Sequence, residues 1–222
     1  HLGMPGIPAE AETIIIYRDL QLLKYTGSKL HFTGVSTAAG VDMIRKAKRE
    51  KLNVTCSVTP YHLALTDEAL VGYDSMYKVS PPLRTEKDRQ ALIKGLKDGT
   101  IDCIASHHRP QDWDAKVKEF EYAAYGMNIQ ELAFNIALEG VTDKVELDRV
   151  VNAFANRPRE IFGMADAAIK KGSPASLTLF TAKGKGVLNE MNSMSANNPF
   201  IGQELSGNII GIINNNNHHI NQ

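Results

Sequence analysis

The sequence predicts an α/β protein: four parallel βα units, half of an eight-stranded TIM-like β/α barrel, followed by a small β appendage. Three observations carry that expectation. Short apolar stretches alternate with amphipathic ones at regular spacing from Lys29 to Ala137. Capping and turn residues stand where strands would hand over to helices. After Lys170 the pattern changes to K-K-G-S-P-A-S-L-T-L-F, a turn followed by a strand. Connections within such a sheet are expected to be right-handed crossovers, and a full barrel takes about 250 residues.

Pro5, Gly6 and Pro8 mark a loop. Ala9 to Tyr25 then carries Ile14, Ile15, Leu20, Leu22 and Leu23 among polar residues, a helix with Glu10 and Glu12 at the positive end of its dipole and Gly27 closing it. Lys29 to Val35 is a strand, and Ser36-Thr37 caps a helix from Ala38 to Glu50. Asn53 to Thr59, rich in β-branched residues, is the second strand, which Pro60 ends. The loop beyond holds Tyr61, His62 and a short helix near Thr66-Asp67-Glu68.

Met76 to Val79 reads as a third strand, followed by the rigid turn Ser80-Pro81-Pro82, and Thr85 with Asp88 caps a helix through Leu96. The turn Asp98-Gly99-Thr100 leads into the fourth strand, Ile101 to Ala105. The loop Arg109 to Gly126 holds Trp113, Phe120, Tyr122 and Tyr125, and its length marks it as a functional lid whose aromatics pack to order it. Helices are expected at Asn128 to Leu138, Lys144 to Ala155 and Pro158 to Phe162. Leu177 to Phe180 and Asn208 to Ile213 are strands of the appendage. The organisation expected is a half-barrel over 1–168, an appendage over 169–213 and a mobile polar tail over 214–222, with His218 and His219 in the tail.

Composition narrows the function. Among 222 residues, 25 Lys and Arg balance 25 Asp and Glu, so no long-range field draws in nucleic acid or an anionic membrane. The sequence holds no apolar run long enough to cross a bilayer and no signal-peptide pattern, so the cytoplasm is expected. Cys56 and Cys103 fall inside strands and are expected as free thiols. The chain opens at His1 without an initiator methionine and reads as a fragment or a processed piece.

Ser106, His107 and His108 stand at the end of the fourth strand, the position where β/α barrels carry their chemistry. Two readings stay open: a metal-binding pair and a hydrogen-bonded structural pair. His31 is expected as a buried hydrogen-bonded residue, His62 as structural, and Arg157-Pro158-Arg159 as a solvated helix start.

Several stretches together resemble the dihydroorotases of the multifunctional-complex class, in the amidohydrolase superfamily. They are G-M-P-G-I-P-A-E-A-E, L-H-F-T-G-V-S-T, V-T-P-Y-H-L, K-V-S-P-P-L-R, D-G-T-I-D-C-I-A, F-E-Y-A-A-Y-G-M and K-K-G-S-P-A-S-L-T-L-F, in the family's order and over nearly the whole chain. The resemblance implies the C-terminal half of a metal-dependent hydrolase barrel, zinc as the family's cofactor, and interconversion of carbamoyl aspartate and dihydroorotate, a cyclic amide. It also implies that the first four strands, with the family's first metal motif, lie outside this chain.

The resemblance further implies changed functional positions. The family's fifth strand carries a metal-binding histidine where Gly34 stands, and its T-D-H-A-P-H motif reads Ser106, His107, His108, Arg109, Pro110 and Gln111. His107 thus takes the place of the catalytic, metal-binding aspartate, with His107 and His108 left as the metal candidates. Ser80, Gln111 and Gly126 occupy substrate-contacting positions. An imidazole bound to zinc through one nitrogen cannot use that nitrogen to take a proton, whereas a carboxylate has a second oxygen and the balancing charge.

Three functions follow as alternatives. One is a cyclic amidohydrolase with a rebuilt metal site. Another is a non-catalytic homologue, with no metal in this chain, that partners a protein such as aspartate carbamoyltransferase. The third is a domain that binds a small anion through His107, His108, Arg109 and Arg84. A half-barrel also leaves strand edges unpaired, so a homo-oligomer covering Lys29 to Val35 or Ile101 to Ala105 is expected.

Overall fold

The computed structural model describes residues 2–165 and 168–221. Helix α1 (Glu10–Thr26) forms where the sequence places it, with Ile16, Leu20 and Leu23 buried at helical spacing. Ile14, Tyr17, Leu22 and Tyr25 of the same helix are exposed. Strand β1 (Leu30–Phe32) follows, then α2 (Ala38–Arg49), whose first turn is capped by the Thr37 hydroxyl accepting from the Gly40 N–H. Basic residues Lys46, Lys48 and Arg49 crowd its last turn, where the dipole favours them.

Strand β2 (Val54–Val58) runs directly into α3 (Pro60–Ala64). This short helix stands where a loop was expected, started by proline at its first position and the Thr59 cap. The largest departure concerns Met76 to Val79: Ser75–Tyr77 is a 3-10 turn, because the Asp74 carboxylate accepts from the Met76 N–H and curls the backbone out of an extended path. Lys78, next in the chain, is buried and gives its ammonium to the Phe120 and Glu121 carbonyls, each at 2.8 Å. The residues after α4 (Glu86–Asp98) therefore pair with β2 instead, as β3 (Cys103–Ile104).

The resulting sheet has three parallel strands in the order β1-β2-β3, with Phe32 opposite Cys56 and Val58 opposite Ile104. Three strands rather than four make up this sheet among the described residues, and a barrel is not closed by them. Its main core joins Val41 and Ile44 of α2, Val54, Cys56 and Val58 of β2, and Leu92 and Leu96 of α4. At the amino-terminal ends of the strands the buried Asp102 carboxylate holds the Lys48 ammonium at 2.6 Å, the Arg157 guanidinium at 3.1 Å and the Cys56 N–H at 2.9 Å.

The chain continues through α5 (Trp113–Lys116), α6 (Ala133–Val141), α7 (Leu147–Phe154) and α8 (Asn156–Phe162). The loop that precedes α6 is ordered, and its aromatics divide: Trp113 and Tyr122 are each 72% exposed, whereas the Phe120 and Tyr125 rings lie 5.5 and 4.6 Å from the Lys78 ammonium, so aromatic rings do not pack on one another. Lysines hold it instead, since the buried Lys116 ammonium donates to the Ala124 carbonyl at 2.9 Å and the Gly126 carbonyl at 3.1 Å. Burial, with Lys78 nearby, pulls the Lys116 ammonium down to about 8.

The appendage is an antiparallel sheet of β4 (Ser176–Val187), β5 (Glu204–Asn214) and β6 (Asn217–Ile220). The polar end expected as a mobile tail is thus a strand, with Ile212 opposite His219 and Ile213 opposite His218. Asparagine makes the turn possible: Asn215 adopts φ 53°, a left-handed conformation that asparagine tolerates, in a two-residue hairpin connection. The appendage also shares a core with the βα units, because Phe200 and Leu205 pack among Tyr61, Val79, Leu83, Met127 and Ile136. No helix among the described residues is long and apolar enough to cross a membrane.

Candidate functional site

Parallel pairing brings the carboxyl ends of the strands to one side, and a cavity of about 240 Å³ opens there. Tyr61, Ser80, His107, His108, Arg109 and Gly126 line it. Four of the five residues named as site candidates from sequence, Ser80, His107, His108 and Gly126, therefore meet in one place. The fifth, Gln111, does not line it: its side chain donates to the Tyr125 carbonyl at 2.9 Å, and its N–H is shared between Ser195 Oγ and Asn197 Oδ1. Arg84 is also elsewhere, donating to Ser36 Oγ at 3.2 Å and to the Ile7 carbonyl at 2.6 Å. A parallel bridge between His108 and Met127, with the Arg109 N–H donated to the Met127 carbonyl, fixes the wall that carries the histidines.

His107 sits at φ 47°, a left-handed conformation uncommon for a residue with a side chain. Its imidazole lies over Gly34. A Cβ built at position 34 overlaps the ring, with both ring nitrogens at 3.1 Å, and φ of +71° there already favours glycine. The volume that a histidine at position 34 would need is filled by the imidazole from position 107.

A hydrogen-bond chain holds His107 in that place. The Gly34 N–H donates to Ser57 Oγ, the Ser57 hydroxyl donates to Thr33 Oγ1 at 3.2 Å, and Thr33 Oγ1 meets His107 Nε2 at 2.8 Å. The Thr33 hydroxyl accepts from Ser57 and keeps a second lone pair and one proton, so it meets His107 Nε2 as acceptor or as donor according to the imidazole's tautomer. Burial lowers the His107 pKa, which keeps the ring neutral.

His108 is committed too. The Gln130 N–H donates to His108 Nδ1 at 3.2 Å, so that nitrogen carries a lone pair and the neutral ring has its proton on Nε2. A zinc ligand must offer a free lone pair, and a zinc site takes three or four such groups. Among the described residues no cluster of three His, Cys, Asp or Glu side chains is placed to hold a metal, and the lone pair of His108 Nδ1 is already used. By themselves the described residues of this chain do not make a complete zinc site.

Gly126 is glycine for a local reason: at φ +136° a Cβ would stand 2.8 Å from the Arg109 carbonyl oxygen. Its N–H donates to the Lys78 carbonyl, and its own carbonyl accepts from Lys116 and Asn197, so its peptide groups are engaged within the protein. His62, read as structural, is buried: its Nδ1 meets Thr59 Oγ1 at 2.7 Å, and its Nε2 donates to the Pro82 carbonyl. Burial drives its pKa down to about 4. His31 pairs with Thr55 Oγ1 as expected of a hydrogen-bonded residue, though it is only half-buried.

Sequence reasoning missed Thr33, Ser57 and Gln130 as the groups that set the two imidazoles. A usable signal existed for the first two, since Thr33 and Ser57 follow Phe32 and Cys56, which pair across adjacent strands. It also missed Tyr61 as a lining residue, and the segment from Ser195 to Asn197, whose side chains tie down Gln111, Arg109 and Gly126 from a distant part of the chain.

No family model matches the chain. A dihydroorotase of Caldicellulosiruptor saccharolyticus is 40% identical over 217 residues, which is 96% of this chain and 50% of the relative. Among solved structures, a dihydropyrimidinase from Brevibacillus agri aligns with a TM-score of 0.86 at 27% identity, over 96% of this chain and 49% of its own. An inactive dihydroorotase-like domain of a CAD-like multifunctional protein from Chaetomium thermophilum shares the fold at a TM-score of 0.68 and 21% identity, over 91% of this chain and 54% of its own. The chain spans about half the length of the curated relatives it matches. It is a sequence relative of the dihydroorotases, with the fold of the amidohydrolases.

Proposed function

We propose that this chain is the C-terminal half of a dihydroorotase-type barrel that has kept its scaffold and given up hydrolysis, a non-catalytic homologue in pyrimidine synthesis. One observation carries the reading: both imidazoles are held by protein groups, His107 Nε2 by Thr33 Oγ1 and His108 Nδ1 by the Gln130 N–H. Hydrolysis of a cyclic amide needs an activated water and a group to carry its proton to the leaving nitrogen. In the family zinc supplies the first and a carboxylate the second. The described cavity is lined by imidazoles, hydroxyls and a guanidinium, with no carboxylate among its lining residues.

A cytoplasmic scaffold role beside aspartate carbamoyltransferase, or in a homo-oligomer that covers the outer strands, accords with β1 and β3 both standing at edges of the described sheet. The solved relative from Chaetomium is, by its own description, inactive and part of a multifunctional protein.

A second reading, a working cyclic amidohydrolase acting on dihydroorotate, is favoured by the 40% identity to a dihydroorotase. It requires His108 Nδ1 to leave Gln130, or His107 to bind metal through the nitrogen that Thr33 does not hold. Elemental analysis of protein purified without chelator, run beside a dihydroorotate hydrolysis assay, separates the two. The proposal expects neither bound metal nor turnover. One or two zinc ions per chain together with turnover would overturn it.

A further inference from the structure

Resting on that reading, we infer that the strand-end cavity is a binding site for a small tetrahedral oxyanion of the phosphate type. Since the Gln130 N–H occupies His108 Nδ1, the proton of His108 is on Nε2 and the ring is a donor there. The relay from Gly34 through Ser57 and Thr33 holds His107 Nε2, which leaves Nδ1 as the free nitrogen of that ring. Arg109 is a permanent cation, and among the described residues its guanidinium makes no ion pair or hydrogen bond. Ser80 and Tyr61 add hydroxyls, and burial pushes the Tyr61 phenol up to about 12, which keeps its proton in place.

The lining therefore offers the donors of His108, Arg109, Ser80 and Tyr61, with one fixed positive charge and no carboxylate to repel an anion. These donors come from separate parts of the chain: Tyr61 from α3, Ser80 from the turn before α4, and His108 and Arg109 from the segment after β3. A planar carboxylate accepts hydrogen bonds in one plane. Four oxygens arranged tetrahedrally accept from several directions, which suits donors spread around a cavity.

The chemistry is shared by free phosphate and by the phosphoryl group of a larger metabolite, so the test uses both inorganic phosphate and glycerol 3-phosphate. Calorimetric titration of the metal-free protein at constant ionic strength would show saturable binding of at least one of them, and succinate would bind more weakly. Arg109→Ala should weaken binding about tenfold or more, the usual loss when a charged donor is removed, with Arg109→Lys between the two. In 15N-histidine spectra the Nε2–H signal of His108 should shift with phosphate in the wild type.

Binding of phosphate alone would assign the site to the free ion, and binding of glycerol 3-phosphate alone to a phosphoryl group; either supports the inference. Failure of both probes, binding unaffected by Arg109→Ala, or tighter binding of succinate would overturn it. A zinc titration of the same sample, read by elemental analysis, tests the non-catalytic reading separately: stoichiometric zinc would remove that reading, whereas metal-free protein that ignores phosphate would remove this inference alone.

Discussion

Replacing Gly34 by alanine tests the arrangement of the site most directly, because two independent costs meet there. Alanine at φ +71° lies in the left-handed region, which costs about 1–2 kcal/mol for a residue with a Cβ. The new methyl would also overlap the His107 ring, so the imidazole must move and give up its bond to Thr33, a further loss of about 1 kcal/mol. The ordinary gain from restricting the unfolded chain, about 0.4–1 kcal/mol, offsets a part. The net expectation is a destabilisation of about 1–3 kcal/mol, measured by urea denaturation at neutral pH.

The double variant Gly34→Ala with His107→Ala separates the two costs. With the ring gone, the overlap disappears and only the backbone cost remains, so the paired losses should fall short of additivity by about 1 kcal/mol. Strict additivity would mean that His107 does not sit over Gly34. A Gly34→Ala protein as stable as the wild type would remove the backbone argument as well.

Two further outcomes follow from the buried charges and imidazoles. His62 has a folded pKa near 4 against about 6.5 when unfolded, so between those values the unfolded state binds more protons; stability falls as pH drops through 6.5 and levels off below 4, by about 2 kcal/mol at pH 5. Burial lowers the pKa of His107 and His31 in the same direction, and urea midpoints that stay flat between pH 7.5 and pH 5 would contradict the assignment. Asp102→Ala would leave Lys48, Arg157 and the Cys56 N–H without their shared partner, a loss of about 3–5 kcal/mol in chemical denaturation; a loss under about 1 kcal/mol would show that the cluster is solvated.

The elements that could be read from sequence are those whose signals are local. Thr37 and Thr85 cap α2 and α4 as their positions suggest, and the thiols of Cys56 and Cys103 are buried and free. Where the reading failed, a distant partner decided the outcome. Nothing near Lys78 announces that its ammonium is needed by carbonyls of Phe120 and Glu121, yet that contact and the Asp74 cap leave residues 75–77 as a tight turn. The asparagine run at 214–217 looks like a solvated end by composition, whereas its tolerance of left-handed φ builds a hairpin.

The site divides the same way. Placement of Ser106, His107 and His108 at a strand end could be read, but the hydrogen bonds that hold the two imidazoles come from Thr33 and Gln130, which are 74 and 22 residues away in sequence. Gln111 misled for a related reason: its motif position points to a ligand contact, while the Ser195 and Asn197 side chains hold its backbone and Tyr125 takes its amide.

The connection between β4 and β5 bears on how such a protein could be inherited or recombined. Residues of this stretch reach back across the molecule: Glu131 accepts from Asn192 and Ser193, and Asn197 donates to the Arg109 and Gly126 carbonyls beside the cavity. The appendage is therefore not a module that evolution could exchange for another β unit while leaving the cavity intact. A gene fusion or truncation that removed it would also strip the wall behind Arg109, so the two parts of the chain are constrained to diverge as one.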